Sequence, residues 1–582
     1  MRQTGDNALA CLAVCVGAFF CFVGCSASRY KAAADREAYA LIAQKAKSVE
    51  NMSGSFSIEQ TNQWSLGGLS QRQEAVSFLG DYGRTELGAP VISIQQALSI
   101  ATARSRIMQS RKEQLFLASL LLSQARHQWT PLFSASGAGR FDVDTERALD
   151  LVPDPNNPSQ PKVVLSDKVV EQQKVNGGAR VGSGWLIRDV GRITAAFSTD
   201  FLRFLTGDPR SLASSRLGAT FTRPLLQNAG FQQEMENLTQ AERDLLYEVR
   251  DFARFRKEFS VRIATAYYGV LGNRDIARNS HLNLMSSQTN AARTRALSAE
   301  GRVAQAQLGR LDQQQLSVEN AWLTAVRSYR QSLDELKIQL GISVDTAIVL
   351  DDKELESLQI RHPDVAVDEA VQVALEARMD YQNSRDQYAD AVRKVKISKN
   401  ALKTQVDLVA NVAVNSGPDS GRGFPLPDPK RYNWSAGLDV DLPFDRKRER
   451  NSYRASLIGA DRAGREFSLK EDEIKQEIRD NWRLLEQARR GYEIAEIGMA
   501  VAQRRAEEQN LLAELGRANA QDQVDAQNAL NEVRNQRTQA LVTHTISRLQ
   551  FWSNMGILYI KDQGDWEERA PQRKTDANGQ SK

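Results

Sequence analysis

Proline placement constrains this chain more than any other feature. Its 15 prolines are spread unevenly: none lies within 91–130, 225–362, 364–417 or 444–570. Most fall within 131–224 and 418–429, with Pro443 just behind. Proline lacks the amide N–H and clashes with the preceding turn, so helix interiors exclude it. The proline-free stretches are rich in Ala, Gln, Glu, Arg and Leu, all good helix formers. The pattern predicts long helices separated by two compact non-helical zones.

The helices carry a seven-residue spacing. Leu238, Leu245, Phe252 and Phe259 recur every seven, with Val249, Ile263 and Val270 beside them. Ile478, Leu485, Tyr492 and Met499 repeat the pattern, accompanied by Ala488, Ala495 and Ala502. Large residues alternating with Ala let helices approach closely, as in a coiled coil. The runs from Pro224 to Gly301 and from Pro443 to Gly516 could each extend about 110 Å if continuous.

The second non-helical zone alternates with period two. Val406, Leu408, Ala410, Val412 and Val414 share one face, and Gln405, Asp407, Val409, Asn411, Ala413 and Asn415 share the other. Tyr432, Trp434, Ala436, Leu438, Val440 and Leu442 face away from Asn433, Ser435, Asp439 and Asp441. Segments of about ten residues, apolar on one side and polar on the other, fit transmembrane β-strands with a wet lumen. Residues 417–431, rich in Pro and Gly, read as the loop between them. A soluble amphipathic hairpin would show the same alternation.

Charge and composition exclude several classes. Lys and Arg total 76 against 72 Asp and Glu, a net charge of +4, too small for a general affinity for nucleic acid. Beyond the N-terminus no apolar run approaches the roughly 20 residues of a membrane-spanning helix, which rules out a multi-span helical transporter. Residues 8–23 form an apolar segment behind Arg2 and read as an export signal. All four cysteines lie at 11, 15, 21 and 25. Cleavage before Cys25 would leave one thiol on the mature chain and no internal disulfide. Phe22-Val23-Gly24-Cys25 resembles the bacterial lipoprotein cleavage box, in which the Cys is acylated. His127, His281, His362 and His544 fall in separate segments, and no zinc spacing, phosphate loop or nucleophile elbow appears. No enzyme and no cofactor or metal is expected.

The chain also repeats itself. Ile94-Gln95-Gln96-Ala97-Leu98 aligns with Val367-Asp368-Glu369-Ala370-Val371, with Arg104 and Arg378 in comparable places. Phe221-Thr222-Arg223-Pro224 aligns with Val440-Asp441-Leu442-Pro443, and Leu340-Gly341-Ile342 with Met555-Gly556-Ile557. The first copy holds extra residues at 140–210, expected as a long loop. Each copy reads as helix, strand, loop, strand, then a helical hairpin turning near Gly301 or Gly516. Two copies give about four membrane strands per chain. Four strands cannot close a barrel and lipid does not tolerate open edges, so oligomerisation is expected, three copies giving twelve strands.

On these features residues 90–560 resemble the TolC-like outer membrane efflux proteins. The resemblance rests on the repeated helix starts, Pro224 and Pro443 at the strand–helix junctions, and the tip segments 299–307 (AEGRVAQAQ) and 514–526 (ELGRANAQDQVDA). It implies an α+β fold: a trimeric 12-stranded β-barrel continued by a periplasmic α-helical barrel. It further implies an exit duct for tripartite efflux or type I secretion, working with a periplasmic adaptor and an inner-membrane pump. Many members are lipoproteins, in keeping with Cys25 as the attachment site and outer membrane lipid as a partner. Asp522 and Asp525 take the positions of the family's periplasmic aperture, with Gln307 and Arg310 as counterparts in the first copy. Gly301, Arg302, Val303, Gly516, Arg517 and Ala518 match the adaptor-contacting tips. A cation-favouring ring at the constriction would follow from the carboxylates, although exposed carboxylates also simply solvate a helix face.

The expected organisation is a signal peptide at 1–24 and a lipid-anchored linker at 25–90. A first repeat follows at 91–342, an inter-repeat segment at 343–366, a second repeat at 367–560 and a polar tail at 561–582. The competing reading is a lipid-anchored periplasmic coiled-coil scaffold that conducts nothing.

Overall fold

The computed structural model describes residues 27–52, 56–59, 66–154, 157–206, 211–300, 305–417, 425–515, 517 and 520–568. The expected signal peptide, Cys25, the tip residues Gly301, Arg302, Val303, Gly516 and Ala518, and most of the polar tail lie outside the described residues. The chain forms two compact units.

The first elements are α1 (Ala27–Ala46), a 3-10 helix (Ser77–Glu86), β1 (Val91–Ile92), α2 (Ile94–Arg104) and α3 (Arg106–His127). Four strands follow: β2 (Leu132–Asp154), β3 (Asn157–Ile187), β4 (Gly191–Phe204) and β5 (Ser211–Pro224). Then come α4 (Gln232–Ala299), α5 (Gln305–Leu340), β6 (Val349–Leu350) and α6 (Lys353–Glu356). The second half has α7 (Val367–Ala377), α8 (Met379–Asn400), β7 (Gln405–Ser416) and β8 (Pro427–Asp441). It ends with α9 (Lys447–Glu514), α10 (Ala520–Asn554), β9 (Leu558–Ile560) and β10 (Trp566–Glu568).

One unit, 121–243 with 388–463, is built on a six-stranded sheet in the order β2-β3-β4-β5-β7-β8. Every neighbouring pair is antiparallel. The expectation of four strands, and hence of twelve in three copies, is corrected to six. The described residues of 140–210 are not a loop but, for the most part, the end of β2 and all of β3 and β4. Its alternation is present in the sequence: Phe133, Ala135, Phe141 and Val143 lie across from Ser134, Ser136, Arg140 and Asp142. Glycines at 137, 139, 177, 178, 182 and 184 dilute that signal, since they contribute no side chain to either face. The β3–β4 turn has neither Gly nor Pro; Asp189 takes the left-handed conformation at φ 60°, which Asp tolerates better than most residues.

The other unit, 1–120 with 244–387 and 464–582, is helical. Both α4 and α9 run 68 residues; α5 and α10 run 36 and 35. The seven-residue pattern faces the packed side: Leu245, Phe252, Phe259, Ile263, Val270, Ile478 and Leu485 are buried, as are Ala488, Ala495 and Ala502. Polar contacts order the helices side by side. Within this unit α5 meets α4 through Arg295–Asp312 at 2.6 Å. Next, α4 meets α10 through Asn279–Asn535 and Asn283–Asn528, both 3.1 Å. Finally α10 meets α9 through Arg537–Glu496 at 2.6 Å.

Two turns close in matching fashion. Gly341 ends α5 at φ 75° with its α-carbon against the Arg104 carbonyl, where an added Cβ would sit 2.2 Å from that oxygen. Gly556 ends α10 at φ 81° against Ala377, with the corresponding approach 3.2 Å. Only glycine accepts that conformation and that proximity together. The helix breaks beside them are also alike, with Ser105 at ψ 127° and Arg378 at ψ 122°. The residue matching Arg378 is thus Ser105 rather than Arg104.

Candidate functional site: a two-faced sheet and paired helix tips

Strand register sorts the sheet into two surfaces. Phe133, Val181, Trp185, Phe197, Leu217, Val412, Tyr432, Trp434 and Leu438 fall on one face. Most are open to the surroundings, Phe133 at 81% and Trp434 at 72%. The other face carries Ser136, Arg140, Asn176, Arg180, Thr194, Ser198, Asp200, Arg216, Thr220, Asn411, Asn415 and Ser435. Asp407 pairs across from Asp439, and Gln405 from Asp441, on this same polar face. The expected facing of β7 and β8 is therefore what the register gives. The polar face is hollow: a cavity of about 980 Å³ is lined by Arg140, Asp200, Arg216 and Arg431, and one of about 720 Å³ by Ser136, Arg180, Thr194 and Thr220. A contiguous exposed apolar surface opposite a polar concave one suits a sheet with oil on one side and water on the other.

The strand–helix junctions are ordered by specific contacts. Pro224 closes β5 opposite Asp407, and the Leu225 N–H donates to the Val406 carbonyl at 2.7 Å. Pro443 lies between β8 and α9, its carbonyl accepting from Arg446 Nε at 3.3 Å. Arg446 also donates to the Leu402 carbonyl and, at 3.1 Å, to Thr404 Oγ1. It ties the start of β7 to the start of α9, a structural role the sequence did not reveal.

At the helix tips, Asp522 stands in the first turn of α10, where a carboxylate complements the helix dipole. Asp525 accepts from Gln521 Nε2 at 3.0 Å. Both are exposed, as is Arg310 on α5; Gln307 lies in the first turn of α5. The Arg517 N–H donates to the Leu512 carbonyl at 2.8 Å, closing the end of α9. Arg293 near the end of α4 donates to the Ala513 carbonyl at 3.4 Å, bringing the two hairpin ends together. The aspartates and Arg310 are not joined to one another by any contact within the chain that the described residues show.

A buried ionic cluster went unseen in the sequence. Arg274 on α4 is 2% exposed and donates to Glu86 Oε1 at 2.8 Å and to Tyr329 Oη at 2.7 Å. Tyr329 donates to the same Glu86 oxygen at 2.7 Å, and Asp352 lies 2.9 Å from Arg274 Nε. Burial alone would lower the Arg274 pKa, but Tyr329, Glu86 and Asp352 outweigh it and raise it. Burial raises the Tyr329 hydroxyl well above its usual value. The cluster pins the 3-10 helix of the N-terminal segment to α4 and α5, helped by Trp322 Nε1 donating to the Phe78 carbonyl at 2.8 Å. Nothing near Glu86 in sequence announces it, because its partners lie far away along the chain.

Among the described residues, no group of His, Cys, Asp and Glu is arranged to hold a metal ion. Likewise, no described helix is long and apolar enough to cross a membrane.

No family model matches the sequence, and no curated protein matches it by sequence. Solved structures do. The CmeC outer membrane channel of Campylobacter jejuni aligns at a TM-score of 0.58 and 13% identity, over 89% of this chain and 95% of that one. VceC of Vibrio cholerae, an outer membrane protein, aligns at 0.56 and 14%, over 80% and 96%. The open-state MtrE outer membrane channel of Neisseria gonorrhoeae aligns at 0.54 and 12%, over 80% and 88%. At such identities the likeness is one of architecture, and it spans both units' worth of sequence. The chain has the fold of the TolC-like outer membrane channels.

Proposed function

We propose that the chain is one protomer of an outer membrane exit duct that passively conducts substrates handed over by a periplasmic adaptor and an inner-membrane pump. The observation that carries this reading is the six-stranded sheet with an exposed apolar face, a hollow polar face and two unpaired edges. Its neighbours are channels. Edge strands β2 and β8 run antiparallel to each other, because five antiparallel steps separate them. A copy's β8 can therefore pair with the next copy's β2 and continue the alternation. Three copies of six strands close an eighteen-stranded barrel, in the range that leaves an aqueous channel.

The helices present unpartnered edges of the same kind. Ile494, Ile497 and Val501 on α9 are exposed at three- and four-residue spacing, with Leu511 and, just past the helix, Leu515 exposed further on, and Leu316 and Leu323 are exposed on α5. These two helices are the outer members of the α5-α4-α10-α9 row. A stripe of that spacing suits a neighbouring helix, so homotrimerisation would cover α9 of one copy with α5 of the next.

In this reading Asp522 and Asp525, with Gln307 and Arg310, form the periplasmic aperture, which opens like an iris. The tips at Gly301, Arg302, Val303, Gly516, Arg517 and Ala518 meet the adaptor, and Cys25 carries the lipid. The matching lengths of α2 and α7, α3 and α8, and α4 and α9 support an ancestral duplication. The 3-10 helix pinned at Glu86 gives the linker a role as a strap on the helical unit.

The test is single-channel conductance of the purified, acylated protein in planar bilayers, comparing wild type with Asp522→Ala plus Asp525→Ala. A small conductance that grows or loses cation preference in the variant establishes duct and aperture. Conductance indifferent to the substitutions moves the constriction elsewhere. Absence of insertion, with monomers recovered from the membrane fraction, favours the lipid-anchored scaffold.

A further inference from the structure

The polar face of the sheet is not uniformly polar. Following the register across it, Ser136 pairs with Arg180, Arg180 with Ser198, Ser198 with Arg216, and Arg216 with Asn415. Arg431 precedes Tyr432, whose partner is Val414. The paired row thus carries two arginines whose row neighbours are hydroxyls and an amide, and Arg431, past the register shift of β7 and β8, lines the same cavity as Arg216 and Asn415. The row on one side is Ser134, Gly182, Ala196, Gly218, Ala413 and Asn433, all small or neutral. The row on the other side runs Ala138, Gly178, Asp200 and Ser214, followed by a row bearing a fourth arginine, Arg140. All four guanidinium groups are exposed on the hollow face, and none makes an ion pair among the described residues.

Sheet residues do form salt bridges elsewhere, so their absence here is local. Lys174 on β3 pairs with Asp144 on β2, and Arg192 on β4 lies 3.6 Å from Glu234 at the start of α4. The acidic residues Asp407, Asp439 and Asp441 sit at the strand ends nearest the long helices in sequence, and Asp200, Asp142 and Asp144 lie on the far side of the arginine row, so the basic stretch is the row itself. Small neighbours leave the guanidinium groups open to the cavity instead of shielding them. An arginine fork offers paired donors that match carboxylate and phosphate oxygens, and rings of such residues line anion-conducting pores.

We infer that Arg180, Arg216 and Arg431, supported by Arg140, form an anion-selecting belt inside the sheet-lined part of the pore, which favours passage of carboxylate- or phosphate-bearing substrates. This rests on the duct reading, since trimer closure joins the row of one copy to that of the next. The belt opposes the acidic aperture in series, so the two must be separated experimentally.

The experiment uses the full-length trimer carrying Asp522→Ala plus Asp525→Ala, in planar bilayers under a KCl gradient. The reversal potential should show chloride preference, and inorganic tripolyphosphate added to the outer side should block the current. Adding Arg180→Ser, Arg216→Ser and Arg431→Ser should lower the chloride-to-potassium permeability ratio by about threefold or more and relieve the block. The corresponding Lys triple should keep the ion preference. Channels whose reversal potential and block are unchanged by the Ser triple overturn the belt and leave the duct standing. Failure of wild type itself to conduct overturns the duct reading. If the Ser triple does not assemble, the single Arg216→Ser variant decides: undiminished tripolyphosphate block there, or no block in the parent, sinks the inference.

Discussion

The two units of this chain place their large apolar residues in opposite settings. In the helical unit Tyr267, Tyr329, Phe259 and Leu245 are at 2% exposure or less, and the seven-residue pattern faces inward. In the sheet unit Phe133, Trp434 and Tyr432 stand open on the apolar face, and Phe444 beyond β8 is fully exposed. Burial of apolar surface is worth roughly 25 cal/mol per Å², and the sheet forgoes that gain unless lipid or a neighbouring copy supplies it. The helical unit carries its own cohesion; the sheet unit borrows it. Mutations in the two should therefore read out in different assays.

The strongest contrast is expected at the buried ionic cluster. Arg274→Ala would strand the Glu86 carboxylate, 2% exposed, without its counter-ion. Breaking one side of a buried pair costs about 3–5 kcal/mol. Guanidinium unfolding in detergent, followed by helix ellipticity, should show that loss, while the sheet signal barely moves. An equal loss in both signals would mean the units unfold together.

Next comes His544, fully buried on α10 with neither ring nitrogen hydrogen-bonded. Burial, followed by the nearby Arg548, His362 and Arg489, lowers its pKa to about 4. Glu486, which faces the same region, lies 3.8 Å from His362. Because the unfolded chain binds the proton first, stability is complete above about pH 6.5 and falls as pH drops toward 4. The fall should total about 3 kcal/mol and be confined to the helical unit. Measured denaturation midpoints at pH 7 and pH 4.5 should converge in His544→Leu; a slope unchanged by that substitution assigns the pH dependence to other groups.

A smaller effect is expected at Gly341, whose φ of 75° and closeness to the Arg104 carbonyl leave no room for a methyl group. Gly341→Ala should cost about 1–3 kcal/mol, and Gly556→Ala, with its looser 3.2 Å approach, less. Thermal melts of the two variants rank them, and a reversed order would break the parallel between the turns. Smallest of all, Trp434→Ser should alter detergent-phase unfolding by only about 0.5 kcal/mol. It should nonetheless impair insertion into vesicles, scored by protease protection. A large loss of stability in detergent would show that the sheet holds a core of its own.

The helical unit was the more legible of the two. Proline exclusion and the Leu, Phe and Ala spacing located both long hairpins, because helix packing writes a local period into the sequence. Facing of β7 and β8 was legible for the same reason, the period there being two. The β2–β4 region was misread as a loop because glycines erase alternation and the turn at Asp189 carries no Gly or Pro. At the site, Asp522 and Asp525 could be picked out only through resemblance, since exposed carboxylates look alike in any helix. The Arg274 cluster and the arginine row depend on which distant strands and helices become neighbours, and local sequence does not record that.

The first half of the chain contributes four strands to the sheet and the second half two. Both numbers are even, and in a sheet that crosses a bilayer this is a rule of parity. Each strand reverses the side on which the chain emerges, so a single added strand would deliver α4 to the wrong compartment. Growth by a hairpin leaves every later element where it was. In the proposed duct, a pore of this construction could be widened in steps of two strands per copy without altering the number or order of the long helices.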